Sequence, residues 1–180
     1  MGELREKYRA LLGRRGDFRQ TVCGVAALLH RDFACDRVSL FFKDRYGVFV
    51  SVMAEGLEGM DLSFKPGEGL VGKCVLHKQP VVANDPLHNP QALSRVRDHY
   101  TGYQTQSLLA APILNFWQRP VGAVQLINKL EGGFNDHDAG RLTEIAGALA
   151  PLGRRLPRPL ANIWTRALAA EMAAWIRSIS

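Results

Sequence analysis

Apolar positions along this chain recur in two rhythms, and the changes between them mark its elements. Near the start, Leu4, Tyr8, Leu11 and Leu12 fall at helical spacing and predict a short amphipathic helix that Gly13 and Gly16 interrupt. Asp17 then suits an N-cap, with Gln20 at the third helical position in a capping-box arrangement. Phe18, Val22, Val25, Leu29 and Phe33 continue at the helical period, a stripe suited to lie on a sheet. The rhythm next shortens. Residues 37–43 and 48–53 read as strands joined by a turn over 44–47, an antiparallel hairpin.

Leu70, Val71, Val75 and Leu76 predict a short helix over 69–77, followed by a brief strand over 80–83. The prolines and turn residues of 84–90 end that strand, and a short helix is expected within 91–100. Residues 107–114 and 120–128, joined through 115–119, are almost continuously apolar. They predict two central strands covered on both faces. Leu142, Ile145, Ala146, Leu149 and Leu152 mark a further helix, which Pro157 and Pro159 follow. Beyond them Trp164, Leu168, Met172, Trp175 and Ile179 form one stripe of a last helix too apolar to face water. The N-terminal helices, a second subunit or a further domain would cover it, so a homodimer through terminal helices is expected.

Composition narrows the classes. With 180 residues, 47% of them hydrophobic, the chain suits one compact domain with flanking helices. No run approaches the ~18 apolar residues of a membrane span, and the first residues lack the apolar segment of a secretion signal. No membrane partner and a cytoplasmic location are expected. The net charge of +6 raises nucleic acid as a partner, but the basic residues cluster on segments read as helical (Arg5, Lys7, Arg9, Arg14, Arg15 and Arg19; Arg154, Arg155, Arg158 and Arg166). Without a recognition motif or interleaved aromatics they read as solvated helix faces, and no nucleic-acid partner is expected.

Cys23, Cys35 and Cys74 are widely spaced in apolar surroundings and suit reduced core thiols. His30, His77, His88, His99 and His137 lack metal-site spacing, so no metal is expected. No nucleophile and base stand in a recognisable constellation, so the chain reads as a non-enzyme with no catalytic residues.

Two local features carry ligand chemistry. The turn Gly67, Glu68, Gly69 runs directly into a helix, where free amides and the positive end of the dipole favour an anion. A tight turn before a packing helix is the alternative reading. Further on, Asn135 suits an N-cap with Asp138 at the third helical position.

Taken with residues 101–107 and with 121–129, which end in Asn128 and Lys129, the glycine-framed helix start resembles the ligand-binding half of a GAF domain. The order of elements supports the likeness over residues 17 to 152. It implies an α+β fold with a profilin-like central antiparallel sheet, helices on one face, and crossover helices and a lid loop on the other. The implied division is an N-terminal helix (1–16), the sensor domain (17–153) and a C-terminal signalling or dimerisation helix (154–180).

In flavour the chain resembles the GAF domains of cyclic-nucleotide phosphodiesterases and bacterial adenylate cyclases. Of their Asn-Lys-Phe-Asp-Glu signature it has Asn128, Lys129, Phe134 and Asp138, with Ala139 at the glutamate position. In that family the Lys-Asp pair is a structural tie near the pocket. Asp138 acting as a cap alone, or as a cap with a Lys129 bridge, both stay open here.

The resemblance places Ser39 at the pocket base, Leu70 and Val71 at the helix start, Asp85 on the lid loop, Thr105 before the central strand, and Gln125 where many cyclic-nucleotide binders have a glutamate. An amide there changes the donors and acceptors offered, and Val71 would narrow a pocket that often has alanine. The implied function is small-molecule sensing, with a cyclic nucleotide as the possible bound ligand and no other cofactor. A ligand-free dimerisation module and a free methionine sulfoxide reductase are the alternatives. Bilin or haem sensing finds no defensible attachment or axial residue.

Overall fold

The computed structural model describes residues 2–13, 17–56, 62–85 and 103–156. Helix α1 (Gly2–Gly13) and helix α2 (Phe18–Phe33) lead into strands β1 (Cys35–Lys43), β2 (Phe49–Ala54) and β3 (Ser63–Phe64). Helix α3 (Gly69–His77), strands β4 (Val81–Ala83), β5 (Leu108–Leu114) and β6 (Pro120–Lys129), and helix α4 (Asp136–Leu149) follow, and a 3₁₀ turn closes the described chain at Ala150–Arg154. The strands form one six-stranded sheet in the order β3-β2-β1-β6-β5-β4. Every described pairing is antiparallel.

The expected α+β architecture is the one observed. The predicted helix over 69–77 and the strand over 120–128 coincide with α3 and, to one residue, with β6. β1 starts at Cys35, two residues earlier than its apolar run, because its pairing with β6 extends to Cys35 opposite Lys129. β3 has no counterpart in the sequence reading. Its two residues are too few to show a period, and they pair with Phe49 and Val50. The helix expected within 91–100 and the stripe from Trp164 to Ile179 lie outside the described residues.

Alternation divides the sheet's side chains between two layers. One face carries Val38, Leu40, Phe42, Leu109, Ala111, Ile113, Val124 and Leu126 against α2 and α4. Each valine, leucine, isoleucine or phenylalanine among them contributes about 1.5–3 kcal/mol when fully buried. α2 is fixed at its start by Asp17, whose Oδ1 accepts from the Gln20 amide at 2.7 Å, one arm of the expected capping box. It ends at Ala34 in the left-handed region.

α1 joins the same core through Tyr8, which is fully buried and whose hydroxyl donates to Asp32 at 3.0 Å. Lys7 donates to the same carboxylate at 2.5 and 2.7 Å. Burial first, and then the neighbouring Asp32 charge, hold the Tyr8 phenol protonated well above its usual range.

The β1–β6 pairing depends on Gly122. A Cβ there would stand 2.5 Å from the Phe41 carbonyl oxygen and 3.0 Å from the Phe42 ring. The obstruction includes neighbouring backbone, so the two central strands would have to separate. Gly122→Ala is therefore expected to destabilise by about 1–3 kcal/mol, measured as a lower urea midpoint at unchanged slope.

Candidate functional site

The second face of the sheet lies toward α3. Reading across strands, the rows on this face are Ser51, Phe41, Ala123, Pro112; then Ala54, Ser39, Gln125, Ala110, Val81; then Arg37, Ile127, Leu108, Ala83. α3 covers part of it. Val75 packs with Phe41, Phe49, Phe64 and Ala123, while Leu70 and Cys74 pack with Leu108 and Ala110, and Val71 touches both groups. Phe64 stacks on Phe49 and meets Phe41 edge-on, closing one end.

The middle row differs from its neighbours. Its alanines, Ala54 and Ala110, flank Ser39 and Gln125, so two polar side chains stand in a strip of small ones. Ser39 is 1% exposed and Gln125 3%, and neither side chain has a hydrogen bond among the described residues. Buried amides and hydroxyls are almost always bonded, and leaving one unbonded costs about 1–3 kcal/mol. The arrangement suits a ligand that supplies the missing donors and acceptors.

Of the six residues that the resemblance placed around the ligand, the structure brings four together: Ser39 and Gln125 face each other across β1 and β6, and Leu70 and Val71 lie on the helix above that sheet face. Thr105 is buried just ahead of β5, and Asp85 is exposed just after β4. Because Ala83 pairs with Leu108, both lie beyond the same end of the sheet. The expected lid falls mainly on residues 86–102, outside those described.

The glycine turn needs correction in detail. Gly67 and Gly69 have φ of +92° and +64°, values that favour glycine. The Gly67 amide, however, donates to the Gly72 carbonyl at 2.8 Å and the Glu68 amide to Lys65 at 3.0 Å, so neither is available to an anion. Glu68 adds its own carboxylate at this helix end, accepting from the Lys65 amide at 2.8 Å. The amides of Gly69, Leu70 and Val71 remain without a partner among the described residues.

The signature residues form a tie beside the site. Asn128, at φ +51°, accepts from the Gln106 and Ser107 amides at 2.7 and 3.1 Å and donates to the Gln104 carbonyl and the Tyr103 hydroxyl, each at 2.8 Å. Lys129 donates to Asp138 Oδ2 at 2.5 Å, and Asp138 also completes a capping box with Asn135, so capping and the bridge coexist. Phe134 is buried, its backbone held on both sides by the Asn84 side chain at 2.8 and 2.9 Å.

Two clusters escaped the sequence reading. His30 Nδ1 lies 2.8 Å from the Cys35 carbonyl and Nε2 lies 2.7 Å from Glu55, whose carboxylate also accepts from the Val38 amide. Arg37 lies with its guanidinium carbon 3.4 Å from the Tyr103 ring centroid. Alternation from Ser39 would have put Arg37 on the same face; no local signal joins it to Tyr103, 66 positions away.

The three cysteines are free and buried. Burial pushes the Cys74 thiol up to about 12 and Cys23 to about 11, and raises Cys35 despite the nearby His30. A thiol held protonated is a poor nucleophile. Among the described residues no group of three His, Cys, Asp or Glu side chains is placed to hold a metal ion. No helix among them is long and apolar enough to cross a membrane.

The GAF domain family matches residues 17–151, and the chain belongs to that family. Solved structures share the fold at low identity. The GAF domain of A. aeolicus nlh2, in an inactive state, is 17% identical with a TM-score of 0.68, over 84% of this chain and 94% of that one. The GAF domain of Acinetobacter phosphoenolpyruvate-protein phosphotransferase is 14% identical with a TM-score of 0.68, over 84% and 91%. Free methionine-R-sulfoxide reductase from Neisseria meningitidis, in complex with its substrate, is 19% identical with a TM-score of 0.68, over 85% and 87%. The fold therefore accompanies both signalling and catalytic proteins, and the choice between them rests on the site.

Proposed function

We propose that this GAF domain is a small-molecule sensor whose ligand lies over the Ser39–Gln125 row, with occupancy passed through the terminal helices to a partner or a further domain. The observation that carries the reading is the pair of buried polar side chains without a hydrogen bond among the described residues, set in a strip of alanines. α1 supports the relay, since it packs on α4, the helix that leads toward the C-terminal segment. A cyclic nucleotide is the ligand class suggested by the resemblance of Asn128, Lys129, Phe134 and Asp138 to the phosphodiesterase and cyclase type. Cytoplasmic location and homodimerisation belong to the same reading.

The reductase reading takes its support from the similarity to the Neisseria meningitidis enzyme. The raised thiols weigh against it, because reduction of a sulfoxide by cysteine needs a thiolate to attack sulfur.

Two measurements test the sensor. Small molecules released from freshly purified protein are identified by mass spectrometry for the wild type and Gln125→Leu; the expected result is a bound species that the variant loses. Cyclic GMP and cyclic AMP are titrated while melting temperature is followed. A ligand at 100 times its Kd stabilises the folded state by about 2.7 kcal/mol. No shift with either nucleotide would remove the cyclic-nucleotide version, and no released or added ligand dependent on Gln125 would remove the pocket.

A further inference from the structure

We infer that Arg37 is the oxyanion-binding residue of this pocket, gripping a carboxylate or phosphate of the ligand through a guanidinium stacked on Tyr103 and packed against Gly56. This rests on the pocket reading above and deepens it by assigning the charged end of the ligand. At the start of α3 the Gly67 and Glu68 amides are bonded and Glu68 adds negative charge, which leaves only the amides of Gly69, Leu70 and Val71 to an anion, and a cation nearby would supply the charge they lack.

Arg37 occupies the right strand and face. It is two residues from Ser39 on β1, pairs with Ile127 on β6, and points to the layer that holds Gln125. Two strand residues span about 6.6 Å, so one small molecule can reach both Ser39 and the guanidinium.

The geometry fixes the plane of the fork. Its carbon lies 3.4 Å from the Tyr103 ring centroid, a stacked cation–π contact. A Cβ built on Gly56 would fall 2.2 Å from one terminal nitrogen and 2.3 Å from the same carbon, so only glycine leaves room there. Gly56 has a φ of +71°, which also favours that residue.

Tyr103 is itself anchored. Its hydroxyl donates to Asp36 at 2.5 Å and accepts from Asn128 at 2.8 Å. The Asp36 carboxylate stands 4.0 Å from Arg37 Nε, beyond hydrogen-bond reach. The Arg37 side chain is only 23% exposed, yet its five N–H groups have no hydrogen bond among the described residues. A preorganised planar fork with open edges binds carboxylate and phosphate in bidentate fashion, and it loses little entropy in doing so.

The test is calorimetric titration of the full chain with sodium phosphate and with succinate, against sodium chloride at matched ionic strength, for the wild type, Arg37→Gln and Arg37→Lys. We expect saturable binding of at least one oxyanion to the wild type, weakened at least tenfold in both variants. Arg37→Lys keeps the charge but not the fork, and it serves as the second probe where Arg37→Gln folds poorly. A purely structural Arg37 would change the melting temperature without changing oxyanion affinity. If neither anion binds the wild type at millimolar concentration, or if both variants titrate like it, the assignment is wrong. Loss of the released ligand in Gln125→Leu but not in Arg37→Gln would sink the oxyanion role and leave the pocket standing.

Discussion

Replacing Asp138 by alanine is expected to destabilise the folded chain by about 3–5 kcal/mol, the largest effect of any single substitution at the tie. Two side-chain bonds end together. Asp138 Oδ2 accepts from Lys129 Nζ at 2.5 Å and from the Asn135 amide at 3.2 Å, and both are lost, while the backbone amide of residue 138 keeps its bond to Asn135 Oδ1 at 3.0 Å. The Asp138 side chain is 5% exposed and that of Lys129 20%, so removing the carboxylate strands a partly buried ammonium and takes away one arm of the capping box at the start of α4, while the Asn135 cap itself stays.

Loss of a cap alone typically costs about 1 kcal/mol, so most of the penalty belongs to the uncompensated charge. For a domain of this size the melting temperature should fall by roughly 10 °C. Asp138→Asn keeps an acceptor for the Asn135 amide and should cost less. The paired variant Lys129→Met with Asp138→Leu should recover part of the loss, because no charge is then left in the core. Equilibrium denaturation of the four proteins decides the matter. A loss below about 1 kcal/mol for Asp138→Ala would mean that α4 is held by its apolar face alone.

Raising the pH from about 6.5 to about 10 is expected to weaken the fold by on the order of 3 kcal/mol through His30. Burial pulls the imidazole down, but its contacts with Cys35 and with the Glu55 carboxylate outweigh burial and hold it up at about 10. The geometry gives the same answer. Nδ1 faces the Cys35 carbonyl at 2.8 Å and Nε2 faces the Glu55 carboxylate at 2.7 Å, so both ring nitrogens meet acceptors and the ring is best satisfied as an imidazolium. With its pKa raised on folding, the contribution is fully present below the unfolded value, near 6.5, and is lost as the pH rises through the folded one.

The consequence is local as well as global, since this ring joins the end of α2 to the start of β1 and to Glu55 beyond β2. Buried Cys23 and Cys74, also raised by burial, add a loss in the same direction above about pH 9. The informative quantity is therefore the difference between the wild type and Glu55→Gln in denaturant stability at pH 6, 8 and 10. That difference should shrink steadily as the pH rises. A gap independent of pH would show that His30 is neutral in the folded chain.

α3, β5 and β6 could be read within a residue or so because their signals are local: a glycine turn with φ positive at Gly67 and Gly69, a left-handed stop at Lys78, and apolar runs bounded by turn residues. β3 could not, since it exists only through Phe49 and Val50. In the site, the resemblance singled out Ser39 and Gln125, but their registration opposite each other is a property of the pairing. The expectation for the Gly67–Glu68 amides failed for a related reason: the turn folds back on Gly72 and Lys65 and satisfies them itself.

The amino-acid order alone determined most of the described helices and strands to within a residue or two, and its order of elements and motifs carried the resemblance to a GAF domain. The elements follow from interactions among neighbours a few residues apart. Only the tertiary structure decided that Arg37 meets both Tyr103 and Gly56, that His30 meets Glu55, and that the middle row of one sheet face holds two polar groups without a hydrogen bond among the described residues. Strand register and helix docking bring these side chains together across gaps of 19 to 86 positions, and no pattern in the linear order encodes such distances.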